Sequence, residues 1–142
     1  MDSQQQHYNV RRVLTLKAPH IDRILAGEKD IEIRGGNTKI RGWIALARSG
    51  GKQVRKGWVR SKIEGVVRVV DSKQLPPDEY AALESRHLSG NTNDTYKKPH
   101  GWFLADVVRF ESPLEFEKRA AGVIWSCLQS ETTLAIESIL RN

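Results

Sequence analysis

Six short runs constrain what this chain can fold into: RRVLTLK (11–17), DIEIR (30–34), GWIALARS (42–49), IEGVVRVV (63–70), GWFLADVVRF (101–110) and GVIWSCL (122–128). Each is rich in β-branched, aromatic or alternating apolar residues and too short to be a core helix, so each reads as a strand. Most of the connections are of hairpin length. That favours a mostly antiparallel, barrel-like sheet over a doubly wound one. GWIALARS is apolar on both faces, as a strand covered on both sides must be. In RRVLTLK, Leu14 and Leu16 share a face, and in DIEIR Ile31 and Ile33 point away from Asp30, Glu32 and Arg34. Gly65, inside a strand, marks a bulge or a close approach of backbone.

Helical segments are fewer. Ala18 and Pro19 open a helix of about two turns that buries Ile21, Ile24 and Leu25 and closes at Gly27. LPPDEYAALESRHL (75–88) carries a proline near its start and acids in its first turn, which predicts a second helix. A third is expected from Ser130 as its cap, with Ile136, Ile139 and Leu140 on one face. SGGKQVRKG (49–57) is a glycine-rich basic loop, SGNTNDTYKKPHG (89–101) a long polar one, and SPLEFEKRAA a charged connection. Loops as long as 89–101 within compact domains are often functional. The expectation is a single α+β domain over 11–142, with about five to six mostly antiparallel strands and short flanking helices. Residues 1–10 form a disordered polar tail ahead of it.

With 142 residues the chain is large enough to bury a core unaided, and its single cysteine, Cys127, excludes an internal disulfide or a cysteine zinc cluster. No run approaches the ~18 apolar residues of a membrane span, and MDSQQQHYNV has no signal core. A cytoplasmic protein with no membrane partner is expected. The formal charge is +6, and its distribution is uneven. Residues 34–73 hold eleven Lys and Arg against Glu64 and Asp71, a surplus of nine. Such a block is an electrostatic footprint for a polyanion, and Trp43 and Trp58 within it are either platforms for stacking bases or core residues.

One stretch is ordered beyond what solubility needs. GEKDIEIR (27–34) brings Gly27, Lys29, Glu32 and Arg34 together at the exit of the first helix. With its context, LTLKAPHIDRILAGEKDIEIR (14–34), it resembles the opening of the ASCH family of the PUA-like superfamily, whose hallmark is a glycine, lysine, glutamate and arginine at these spacings. The resemblance extends over about residues 11–128, through Ala47 to Gly50 and GWFLADVVRF. It implies a PUA-like β-barrel with a cleft that receives RNA or a nucleotide, bounded by the motif. Some family members are similar enzymes: amidohydrolases acting on N4-acetylcytidine, and metal-dependent ribonucleases. In the former, the position matching Glu32 is a nucleophilic threonine. A carboxylate does not form the same acyl-enzyme cheaply, which weighs against that activity here.

The candidate ligand-binding residues follow. Lys29 would face the ligand, with the Glu32–Arg34 pair holding the wall in shape; Lys29 and Glu32 would be catalytic if the cleft is that of an enzyme. Lys17 and His20 stand at the start of the first helix. Arg48, Ser49 and Lys52 lie at a strand end and in a glycine-rich turn suited to an anion nest. Lys98, His100 and Trp102 close the long loop. No motif points to a bound metal and no cofactor is expected, although a nuclease reading would admit a divalent cation. RNA or a nucleotide is the expected partner. Hydrolysis in the same cleft is the alternative, and a module that docks an acidic protein partner is the third reading.

Overall fold

A computed structural model describes residues 8–93, 95–120 and 124–142. Seven strands form one mixed sheet, with β1 at Arg12–Leu16, β2 at Ile31–Arg34, β3 at Gly42–Arg48, β4 at Lys52–Arg55, β5 at Trp58–Gln74, β6 at His100–Arg119 and β7 at Trp125–Cys127. The helices are α1 at His20–Leu25, α2 at Pro77–Ala82, α3 at Glu84–His87 and α4 at Ser130–Arg141. Along the sheet the order is β2-β6-β5-β3-β1-β7, with β4 paired to β5. Every pair is antiparallel except β1 with β3. That parallel pair arises because β2, which lies between them in sequence, crosses to the far edge beside β6.

The sheet curls into a half-barrel. Its length comes from β5 and β6, of 17 and 20 residues, whose pairing shifts register at three places. Gly65 sits at the first shift. A Cβ there would lie 2.5 Å from the Val108 carbonyl and 2.7 Å from Leu25 Cδ2, so the close approach expected of this glycine is real. The curl brings the sheet's two ends together: the Arg34 guanidinium on β2 donates to the Thr15 carbonyl on β1 at 3.4 Å, and Trp102 of β6 stacks on Trp125 of β7 at 5.6 Å.

Apolar alternation then fills both faces. Leu14, Leu16, Ile44, Leu46, Val67, Val69, Trp102 and Leu104 form the concave core, closed by Ile21, Ile24 and Leu25 of α1. Val13, Ala45, Ala47, Ile63, Val66, Phe110 and Phe116 point the other way, against Ile136 of α4. Ile31 and Ile33 enter a third cluster with Leu75 and Tyr80, and Tyr96 packs against it. Among the described residues, no helix is long and apolar enough to cross a membrane.

Several elements depart from the sequence reading. Of the connection expected at SPLEFEKRAA, residues 112–119 are the second half of β6. It stays extended because it pairs with the start of β5, where Arg60 lies opposite Glu117 and the two join in an ion pair. The basic loop 49–57 contains the short strand β4. The helix expected over 75–88 breaks at Leu83 into α2 and α3. Ser130 is the first residue of α4 rather than its cap, with no side-chain capping bond, and Ile139 is exposed. Of the tail, residues 1–7 lie outside the described residues, as do the first two of GVIWSCL. Residues 8–10 are packed: α4 holds them through Glu137, which accepts the Asn9 N–H at 2.8 Å, and Thr133, whose hydroxyl donates to the Val10 carbonyl at 3.0 Å.

Candidate functional site

Gly27 determines where the motif's side chains go. At φ +80° it ends α1 with its N–H on the Ile24 carbonyl, after which the Glu28 and Lys29 amides both turn back to the Arg23 carbonyl. Lys29 therefore points into the protein. It is 1% exposed, and its ammonium donates to the His87 carbonyl and to Ser89 Oγ, with Glu32 Oε1 at 3.6 Å. Burial pulls its pKa below the usual lysine value, and the Glu32 carboxylate opposes that shift.

Glu32 bridges inside and outside. Its Oε2 accepts from Arg34 Nε at 3.0 Å while Oε1 faces Lys29, so one carboxylate is held between two cations. The Arg34 guanidinium lies 5.6 Å over the Trp102 ring, and the Trp102 indole N–H donates to the Gly36 carbonyl at 2.8 Å. Arg34, Trp102 and Trp125 thus form a layered support beneath the outer face of the motif.

That face is one wall of a cleft of about 580 Å³. Thr15, Leu16 and Lys17 from the end of β1, His20 from α1, Ser49 after β3, and Glu32, Ile33 and Arg34 from β2 form one side. Tyr80 of α2 and Ser89, Thr92, Asn93, Thr95 and Tyr96 from the loop before β6 form the other. Lys17 is exposed at the rim. His20 Nδ1 is buried and has no hydrogen-bond partner. Desolvation, followed by repulsion from Lys29, lowers the His20 pKa, with Glu32 acting in the opposite direction, so the imidazole is neutral at pH 7.

The far wall is held by a second buried network. His87 Nδ1 accepts the Ser89 N–H at 3.0 Å, which leaves Nε2 to donate to the Tyr80 carbonyl at 2.8 Å. The break between α2 and α3 allows this ring to turn inward, and the His87 carbonyl then receives Lys29. Asn93 clamps the loop by donating to the Tyr96 carbonyl and accepting from the Thr95 and Tyr96 amides, both at 3.3 Å. The Tyr96 ring rests on Gly35, where an added Cβ would lie 2.9 Å from Cδ1.

Of the residues expected to bind, Lys17, His20, Glu32, Arg34 and Ser49 converge on the cleft. Lys29 is not among the residues that line the cleft: it lies behind Glu32 with no side-chain exposure. Arg48 is turned away, held by Asp22 at 2.6 Å and Glu64 at 2.7 Å, which together raise its pKa. Lys52 lines a separate hollow beside Arg48 that touches the cleft only at Ser49. Lys98 is on the far side of the loop. His100 is buried with Nδ1 against the Lys98 carbonyl, and Trp102 is a core residue. Trp43 meets Tyr8 edge-on at 4.9 Å, and Trp58 lies between Arg55 and Arg119, at 4.6 and 5.1 Å, so neither offers a platform in the cleft. Among the described residues, no three His, Cys, Asp or Glu side chains gather as a metal site.

The basic block is largely neutralised in space. Arg34, Arg41, Arg48, Arg55, Arg60, Arg68 and Lys73 all pair with acids, and most of those acids, including Asp22, Glu79, Asp106 and Glu117, come from outside 34–73. Lys39, Lys52, Lys56 and Lys62 are left without an acidic partner among the described residues.

A curled mixed half-barrel with short flanking helices is the fold of an ASCH domain. No family model and no curated protein matches the sequence. Among solved structures the chain is similar to two variants of ZmASCH from Zymomonas mobilis, a serine-to-alanine and a tyrosine-to-phenylalanine mutant. The first aligns at 13% identity and TM-score 0.54 over 92% of this chain and 96% of that one. The second aligns at 15% identity and TM-score 0.54 over 90% and 96%. At these identities it is the ASCH fold that is shared.

Proposed function

We propose that this chain is an ASCH-fold RNA-binding module that receives one unstacked nucleotide in the cleft between β2 and the loop before β6. The observation that carries the reading is the convergence of Lys17, His20, Glu32, Arg34 and Ser49 on a polar cavity of about 580 Å³. That size is in the ~300–1,000 Å³ range of small-ligand pockets. Each group suits one part of a nucleotide. The Arg34 and Lys17 cations match a phosphate, and the Glu32 carboxylate accepts from a base N–H. Pairing across the basic block favours this local capture over a long electrostatic track. The test is anisotropy of a labelled single-stranded RNA. Arg34→Ala is expected to weaken binding about tenfold to a hundredfold, the value of a lost charge-assisted hydrogen bond. Unchanged affinity would remove the reading.

A second reading, hydrolysis of the bound nucleotide unit, is favoured by His20 alone. It lines the cleft, and its lowered pKa leaves the imidazole a base at pH 7, which suits proton abstraction from a ribose hydroxyl or a water. Turnover abolished in His20→Ala with RNA affinity retained would establish it. RNA that remains intact with the wild-type protein would exclude it.

A further inference from the structure

The loop before β6 has a cavity on each side. Across it from the cleft lies a second hollow of about 440 Å³, lined by Leu75, Pro76, Pro77, Asp78 and Pro99 and by Lys97 and Lys98 from the loop itself. Tyr80, Thr92, Asn93 and Tyr96 belong to both cavities, so the partition between them is one layer of side chains. That partition is built to stay in place. The Tyr96 ring is seated on Gly35, its backbone is clamped by Asn93, and it packs on the buried Ile31, Ile33 and Leu75 cluster.

The chemistry of the two sides differs. The cleft is polar and holds the motif's charges, whereas the second hollow offers proline and tyrosine surface with two lysines and one carboxylate, Asp78, around it. Pro76 and Pro77 are exposed there, and Lys97 and Lys98 are exposed without an acidic partner among the described residues. This contrasts with the 34–73 block, where most cations are paired. An apolar floor beside free ammonium groups matches a base with its phosphate, since any base presents a π-face to apolar or aromatic surface.

We propose that this hollow is a second nucleotide subsite, occupied by the residue adjoining the one in the cleft, with Tyr96 as the wedge between two splayed bases and Lys97 and Lys98 on the phosphate. This rests on the nucleotide reading of the cleft and deepens it: the unit recognised is a dinucleotide step of single-stranded RNA.

The test compares the four 5′-mononucleotides with the corresponding dinucleoside monophosphates, each competing against a labelled decamer of uridine for the wild-type protein and for Lys97→Ala. The best dinucleoside monophosphate is expected to bind at least tenfold more tightly than the best mononucleotide. Lys97→Ala is expected to shrink that advantage severalfold while leaving mononucleotide affinity in place. Equal affinities for the two ligand lengths would overturn the second subsite and leave the cleft reading standing, as would a Lys97→Ala variant that keeps the full advantage. Failure of every nucleotide and of the decamer to bind would overturn both.

Discussion

At the scale of single residues, the motif is a device for fixing Glu32. Lys29 reaches it from inside and Arg34 from outside, and both cations are themselves held, by the His87 carbonyl and by the Trp102 face. Removing one partner of a buried pair costs about 3–5 kcal/mol, because the remaining charge stays desolvated. Glu32→Ala is therefore expected to lower stability by about that much in urea denaturation, whereas replacing both charges in Lys29→Met/Glu32→Leu should cost less than the single change. His87 supplies a pH dependence. Burial, with Lys29 repulsion adding, lowers its pKa below the usual 6.5, and protonation would sacrifice the bond from the Ser89 amide. A histidine depressed in the folded state contributes stability that is complete above the unfolded pKa and is lost as pH falls through the lower folded value. Stability is thus expected to fall on acidification below about pH 6.5. His87→Gln should flatten part of that slope, and His20, lowered in the same direction, contributes to the rest. The Glu32–Arg34 pairing was legible in the sequence, since residues two apart share a strand face. The burial of Lys29 was not, because its other partners lie 58 and 60 positions along the chain.

Among the elements, the centres of the strands were readable and their ends were not. Val66, Val67, Val69, Leu104 and Phe110 announce β5 and β6 by composition. Their extensions at Trp58–Ser61 and Glu115–Arg119 carry charges that look like loop until the cross-strand ion pairs of Glu117 are seen. The break at Leu83 was equally hidden, since what it serves is the inward turn of His87 toward a carbonyl on α2 and toward β2. Gly65 is the element-scale exception, where a strand glycine correctly marked a close approach. Because the Val108 carbonyl that meets an added Cβ is backbone and cannot rotate aside, Gly65→Ala is expected to destabilise by about 1–3 kcal/mol. A thermal midpoint unchanged from wild type would contradict the tight packing of β5 on β6 and α1.

For the whole molecule, what matters is how charge and curvature combine. The net charge and its basic block were plain in the sequence, and they implied a broad polyanion surface. Folding brings acids from α1, α2 and β6 onto that block, which leaves Lys39, Lys52, Lys56 and Lys62 of it without acidic partners among the described residues, and sets Lys17 at the rim of the cleft. The salt dependence of binding reports the difference. For single strands the slope of log K against log salt is about −0.7 for each phosphate neutralised, so capture of one or two phosphates gives a slope near −1. A slope several times steeper would return the function to the basic face. The most direct single measurement is to titrate an unlabelled single-stranded RNA decamer into the nitrogen-15-labelled protein and map the backbone amides whose resonances shift. The large shifts are expected at residues 15–20, 32–36, 49 and 89–98. Shifts concentrated on 52–62, or no shifts at saturating RNA, would contradict it.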